Sequence, residues 1–184
     1  MPKITTAIAN RRLLWWHMIA LMVFFIDQMT KTWAVHALSV KGVVSVFPGF
    51  NFSLAFNQGA AFSMLADGAA WQRMVLIAFA VVMMGVLLWW LHSVLTKEQS
   101  VTRVIIGLGL LFGGALGNLL DRIETGRVVD FIQWYYKSWY WPTFNVADMA
   151  ICVGIGLLAL DIAKAEPAQP AATTTVSSSN IGDS

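Results

Sequence analysis

Asn118-Leu-Leu-Asp121-Arg122-Ile-Glu124-Thr-Gly-Arg-Val-Val-Asp130-Phe, followed by an aromatic run and Pro142-Thr-Phe-Asn145-Val-Ala-Asp148, leads out of one long apolar segment and into another. These thirty-one residues hold Asp121, Glu124, Asp130 and Asp148, four of the ten acidic residues in the chain. Carboxylates are costly in lipid, so a chain this apolar gathers them where a membrane meets water. Asp130 comes shortly after one apolar segment and Asp148 opens the next. If those segments are antiparallel neighbouring helices, both acids reach the same depth on the same side and face one site.

By composition the rest of the chain is a membrane protein. Of its 184 residues 58% are hydrophobic and 12% charged, and its mean hydropathy is +0.66, outside the soluble globular range. The formal net charge of +2 comes from scattered Lys and Arg without a basic block, so no nucleic-acid partner is expected. The single cysteine, Cys152, lies in an apolar stretch. It excludes a disulfide framework or a cysteine metal site and reads as a small packing residue.

Hydropathy predicts four transmembrane helices at about 13–35, 71–91, 104–121 and 145–162. They make one membrane-embedded domain over 1–163, all-α and polytopic, with a small extracytoplasmic β-sheet at about 43–57 and an interfacial aromatic segment. The tail over 164–184, rich in Pro, Thr and Ser, is expected to be disordered. The apolar start is not a cleaved signal: it continues past Asp27 through Trp33 to Val35, and Val35-His36-Ala37 is a weak cleavage match.

On the first helix Asp27 and Lys31 stand four apart, acid first, the favourable order for an ion pair. Asp27 lies roughly 21 Å along the helix from Leu13, past the middle of a core about 30 Å thick. An ionisable residue at that depth is a functional candidate; the plainer alternative is an ion pair that fixes the helix end. Between the first two spans the period changes. Phe50, Phe52, Leu54 and Phe56 alternate with Asn51, Ser53, Ala55 and Asn57, the spacing of a strand with one greasy face, and Pro48-Gly49 supplies a turn. The small residues of Asn57-Gln-Gly59-Ala-Ala-Phe-Ser63 let backbone approach a ligand closely, although a plain loop reads much the same.

Gly109, Gly113 and Gly117, four apart on the third span, read as a packing face that brings helix backbones together. Asn118, Asp121 and Arg122 share one face at its outer end. The six aromatics and Lys137 of residues 133–141 suit a segment lying flat at the headgroup level. Asn145 is a plausible N-cap of the fourth span, with Asp148 three residues on, near the positive end of the helix dipole. Four spans put both termini on one side. Arg11-Arg12 before the first span argues for termini inside, so the sheet and the carboxylates face outward.

Two neighbouring carboxylates that share one proton can supply both a base for water and an acid for a departing nitrogen, because like charges at close range push the two ionisations apart. Such a pair titrates as a unit, which leaves the proton's position open. His17, His36 and His92 are dispersed over both ends, so no Ser-His or zinc arrangement is visible. Read on pattern alone, Asp130 and Asp148 also fit a surface acid and a helix cap.

Asp27-Gln-Met-Thr-Lys31, Asn57-Gln-Gly-Ala-Ala-Phe-Ser63, Gly117-Asn-Leu-Leu-Asp-Arg122, Val128-Val-Asp-Phe131 and Phe144-Asn-Val-Ala-Asp148 together resemble the ordered motif set of bacterial lipoprotein signal peptidase, signal peptidase II. The match covers about residues 11–163. The resemblance implies an inner-membrane aspartic endopeptidase that removes signal peptides from prolipoproteins just before the diacylglyceryl-modified cysteine, without a cofactor or metal. It implies Asp130 and Asp148 as the catalytic pair. Asn57, Gly59, Asn118, Asp121, Arg122 and Asn145 match positions that shape or support the substrate site, and Asp27 and Lys31 match the first-helix motif. Membrane lipids would be its surroundings, and cyclic peptide antibiotics of the globomycin type its inhibitors. Gln58 and Met149 stand where smaller residues are expected. A substrate with lipid tails must enter sideways, so the sheet over 50–56 is expected to cradle it from above and segment 133–141 to act as a lid.

Two other classes compete. In an ion- or proton-coupled transporter subunit Asp27, Asp121 and Asp130 would be carrier carboxylates, but such proteins usually carry paired repeats and a midplane site, and here no repeat is visible. A structural assembly subunit would use the glycine ladder and leave Asp130 and Asp148 replaceable.

Overall fold

The computed structural model describes residues 6–59, 70–97 and 101–164. In chain order these form helix α1 (Thr6–Lys41), strands β1 (Val44–Phe47) and β2 (Phe50–Asn57), helices α2 (Ala70–Leu95) and α3 (Thr102–Thr125), strands β3 (Val128–Tyr136) and β4 (Trp139–Tyr140), and helix α4 (Val146–Lys164). All four helices are long and apolar enough to cross a membrane. Within lipid a backbone must satisfy its own polar groups, and a run of Leu, Val, Ile, Ala and Met does so as a helix. Large apolar side chains such as Phe25, Met29, Phe79, Val82, Trp89 and Ile162 point outward from α1, α2 and α4, where a bilayer would cover them. Residues 60–63 of the small-residue run and the tail from Ala165 lie outside the described residues.

Helix α3 is the hub, with 61% of its span buried against 11% for α2. Glycines make this possible on two faces. A Cβ at Gly113 would stand 2.5 Å from the Ala20 carbonyl oxygen of α1, and one at Gly114 would stand 2.6 Å from the Ala147 oxygen of α4. The predicted ladder therefore packs against α1, while Gly107 and Gly114 form a second contact face against α4. Trp16, Leu91, Val94, Ile105, Leu108 and Leu158 fill the core between the helices away from the sheet.

Helix α1 is 36 residues long, about 54 Å at the helical rise, against a hydrocarbon core of about 30 Å. It runs without a break past Val35, so residues 36–41 are helical. Ala34, just before these residues, and Leu38 among them pack with Phe131, Phe52, Leu54, Ile132 and Val146, which seats the sheet on the helix.

The sheet has four antiparallel strands in the order β1-β2-β3-β4. The alternation over 43–57 accounts for β1 and β2. The aromatic run expected to lie flat at the headgroups takes the form of the end of β3 and the whole of β4, joined by a turn in which Lys137 adopts φ 55. Strand alternation is hidden there because an acid, Asp130, occupies a buried position of β3, where a periodic reading looks for an apolar side chain. Asp130 pairs with Ala55, beside a register shift between Phe52 and Ala55, the kind of bulge that re-aims side chains next to a site.

Candidate active site

Local backbone chemistry brings Asp130 back over the end of α3. Gly126 closes that helix in the left-handed conformation at φ 78, its N–H donating to the Arg122 carbonyl, as glycine does at helix ends. Asp121 Oδ2 then accepts from the Val129 N–H at 3.1 Å and ties the first residues of β3 to α3. The edge of β3 away from β2 bonds to Phe144: Phe131 N–H donates to the Phe144 carbonyl at 3.0 Å and Phe144 N–H to the Ile132 carbonyl at 3.1 Å. That bridge delivers Asn145 to the side of Asp130.

Asn145 caps α4 as its place in the sequence predicts. Its Oδ1 accepts from the Asp148 N–H at 2.9 Å, and Asp148 Oδ2 accepts from the Asn145 N–H at 3.3 Å, a reciprocal capping box with an acid at its third position. The same Asn145 donates from Nδ2 to Asp130 Oδ1 at 2.7 Å and to Asn118 Oδ1 at 3.1 Å. Asn118 Nδ2 in turn donates to Asp148 Oδ1 at 2.8 Å. Two asparagine amides thus close a ring between the acids. Asp130 is 1% exposed, whereas Asp148 is half-buried.

Burial pushes the Asp130 carboxyl up to about 6, and the neighbouring Asp148 charge adds to the rise. Hydrogen bonds from Asn57 and Asn145 and the Lys31 charge oppose it. One acid of the pair therefore holds its proton more readily than an ordinary carboxyl, the division of labour that acid–base hydrolysis needs.

Beneath the ring lies a buried charge cluster. Lys31 Nζ bonds Asp27 Oδ2 at 2.8 Å, Asp121 Oδ2 at 2.9 Å and Asn118 Oδ1 at 2.8 Å. Asp27 Oδ1 accepts from the Ala147 N–H at 2.9 Å, so the acid of α1 also holds the first turn of α4. Asp27 has room only because residue 117 is glycine; a Cβ there would overlap its carboxylate. The pair Asp27–Lys31 is real, but it anchors a three-helix junction rather than one helix end.

The remaining predicted residues fall around this centre. Asn57, at the end of β2, bonds Asp130. Gly59 with φ 104 turns the chain, and its N–H donates to Asn57 Oδ1 at 2.8 Å. Arg122 lies at the edge, donating from Nη1 to the Asn118 carbonyl at 3.2 Å. Sequence reasoning missed the part three residues play here, although it had placed Gly117 on the packing ladder. Gln28 Nε2 lies 3.2 Å from Asp27 Oδ2 and 3.1 Å from Asp121 Oδ1, Gly117 makes space for Asp27, and Gly126 sets the turn into β3. Gly126 was findable as a helix-stop glycine. Gln28 was not, since its role depends on where α3 packs.

Helices α2 and α4 both pack on α3 and hardly on each other. A furrow of about 720 Å³ remains between them, walled by Phe79, Met83, Trp90, Leu111 and Ile155, and it runs to Asn118 and Arg122. The Arg122 Nε is buried there without a hydrogen-bond partner among the described residues.

Comparison with known proteins finds relatives over most of the chain. A family profile described as signal peptidase (SPase) II matches residues 19–164. A lipoprotein signal peptidase of Pseudoalteromonas atlantica is 44% identical over 153 residues, 83% of this chain and 90% of the relative. One from Pseudomonas putida is 46% identical over 156 residues, 84% of this chain and 90% of the relative. A solved structure described as a bacterial membrane enzyme at 1.9 Å resolution superposes with a TM-score of 0.68 at 28% identity, covering 85% of this chain and 95% of the other.

Proposed function

Because the chain belongs to the signal peptidase II family, we propose that Asp130 and Asp148 are the acid pair with which this multi-pass membrane protease cleaves prolipoproteins. The cut falls on the N-terminal side of the diacylglyceryl-modified cysteine. The observation that carries the reading is the ring in which Asn145 and Asn118 hold both carboxylates.

Asp148, the more open acid, takes a proton from water as the water oxygen adds to the scissile carbonyl carbon. Asp130 gives its proton to the departing nitrogen, and the C–N bond breaks. The products are a carboxyl on the signal peptide and a free amino group on the lipidated cysteine. Asn145 and Asn118 spend their donors on fixing the carboxylates, which keeps the pair in register through both proton transfers. Lys31, Asp27 and Asp121 work through Asn118 and the first turn of α4, so they are positioning residues. Asn57, itself steadied by Gly59, holds Asp130 from the sheet side.

The furrow between α2 and α4 receives the apolar signal segment from the bilayer. Arg122 at its end offers a buried donor to a substrate carbonyl. The aromatic hairpin of β3 and β4 closes over the lipidated end as a lid. Spin-label distances from this hairpin to α1 that stay unchanged when a peptide mimic binds would remove the lid from the scheme. Cyclic peptide antibiotics of the globomycin type are expected to compete for the acid pair. Arg11 and Arg12 at the start of α1 support a placement in the inner membrane with both termini cytoplasmic and the acids facing the periplasm.

The deciding experiment is release of signal peptide from a diacylglyceryl-prolipoprotein by purified Asp130→Asn and Asp148→Asn variants. Both are expected to bind substrate and to lose turnover by at least about three orders of magnitude. Normal cleavage by either folded variant overturns the mechanism.

A further inference from the structure

At the end of the bundle far from the acids, the contact between α1 and α3 opens. Gly109 is the last small residue of the ladder in that direction, and a Cβ there would stand 3.0 Å from Ile19 Cγ2. One and two turns before it stand Ile105 and Thr102, which carry larger side chains in place of the glycines and line the opening. The result is a groove of about 730 Å³. Its depth is apolar, lined by Ile19, Ile105 and Ile106, and its rim carries Arg11, Arg12 and Trp15. The rim residues follow the helical repeat, Arg11 and Arg12 one turn from Trp15 and two from Ile19, so charge and grease lie along one stripe.

Charge complementarity names the occupant. Two guanidinium groups lining the mouth of an apolar slot match a phosphate esterified to acyl chains. Arg12 is oriented by donating from Nη1 to the Lys97 carbonyl at 2.6 Å. The first-turn amides of α3 add positive potential at the same rim, since Val101 provides no side-chain cap. Arg12 to Ile19 spans seven residues, about 10 Å of helix, the length of a glycerol backbone with the first carbons of a chain. Trp15, exposed beside them, has the amphipathic character of residues at headgroup level. We propose that this groove is a binding site for an anionic glycerophospholipid of the leaflet at the N-terminal ends of α1 and α3, with its phosphate on Arg11 and Arg12 and a chain against Ile19 and Ile106. The site is separate from the furrow that receives the substrate, and it stands whether or not the peptidase reading does.

The test uses full-length protein, delipidated in detergent and titrated with phosphatidylglycerol or phosphatidylcholine of identical chains, with bound lipid read by native mass spectrometry. Phosphatidylglycerol is expected to be retained at least about tenfold more tightly. Arg11→Gln and Arg12→Gln should each weaken it about fivefold. Ile106→Trp, which fills the slot and keeps both charges, should abolish the preference. Equal retention of the two lipids by the unaltered protein overturns the proposal without recourse to any variant. So does undiminished retention by Ile106→Trp, which would mean attraction to a charged surface. Millimolar inorganic phosphate should not displace the lipid; if it does so fully, the rim is a simple anion site and the lipid assignment falls.

Discussion

Asn145 holds both acids at once: its side-chain amide donates to Asp130 at 2.7 Å while its backbone N–H donates to Asp148 at 3.3 Å. A helix cap and the geometry of the acid pair are therefore one object. Asn145→Ala should cost about 1 kcal/mol of stability through the lost cap and about a hundredfold in kcat through the loosened pair, with KM little changed. Steady-state kinetics beside thermal unfolding separate the two losses; a KM effect with normal kcat would show that Asn145 serves substrate binding instead.

Lys31 is 3% exposed and bridges two carboxylates. Lys31→Met leaves Asp27 and Asp121 facing each other without the cation that bridges them, and the expected loss is about 3–5 kcal/mol. Adding Asp27→Asn removes one of the two uncompensated charges and should recover part of that loss. A double variant no more stable than the single one, in the same detergent, would mean that charge balance is not what the lysine contributes.

Gly117→Ala drives a methyl group into the Asp27 carboxylate. The expected cost is about 1–3 kcal/mol, with activity falling as Asp27 releases the first turn of α4. Gly85→Ala on α2 is the control, because a Cβ there meets nothing within 4 Å. It should be neutral or stabilising by up to about 1 kcal/mol. Equal effects of the two substitutions on the melting temperature would remove the packing explanation.

The raised Asp130 carboxyl makes stability depend on pH. Between its ordinary value of 3.8 and about 6 the folded protein holds this proton more tightly than the unfolded chain does. The group's stabilising contribution is thus present at low pH and lost as pH rises through about 6. Asp130→Asn removes that dependence. Relative to the unaltered protein it should gain about 1.5 kcal/mol between pH 5 and pH 8. Parallel unfolding curves for the two proteins across that range would refute a raised Asp130.

The four helices were legible because lipid-crossing segments are written in runs of apolar residues, and the motif order around Asp130 and Asp148 pointed to an acid pair. The Asn145 cap was legible too, since its acid stands three residues on. What stayed hidden depends on packing between distant segments. Strand β3 escaped notice because Asp130 interrupts its apolar face. The second glycine face of α3 is visible only when α4 is set against Gly107 and Gly114. Gln28 follows Asp27 by one residue and points a different way on the helix, so nothing local announces that it touches Asp121 as well.

The bond from the Ala147 N–H to Asp27 Oδ1 joins positions 120 apart. A ribosome that has made everything up to Tyr140 has already supplied Asp130, yet neither Asn145 nor Asp148 exists, and the charge in the first helix still lacks its final donor. If the two acids act together as proposed, the half-built chain is unarmed, and α4, made after the other three described helices, is the one that arms it.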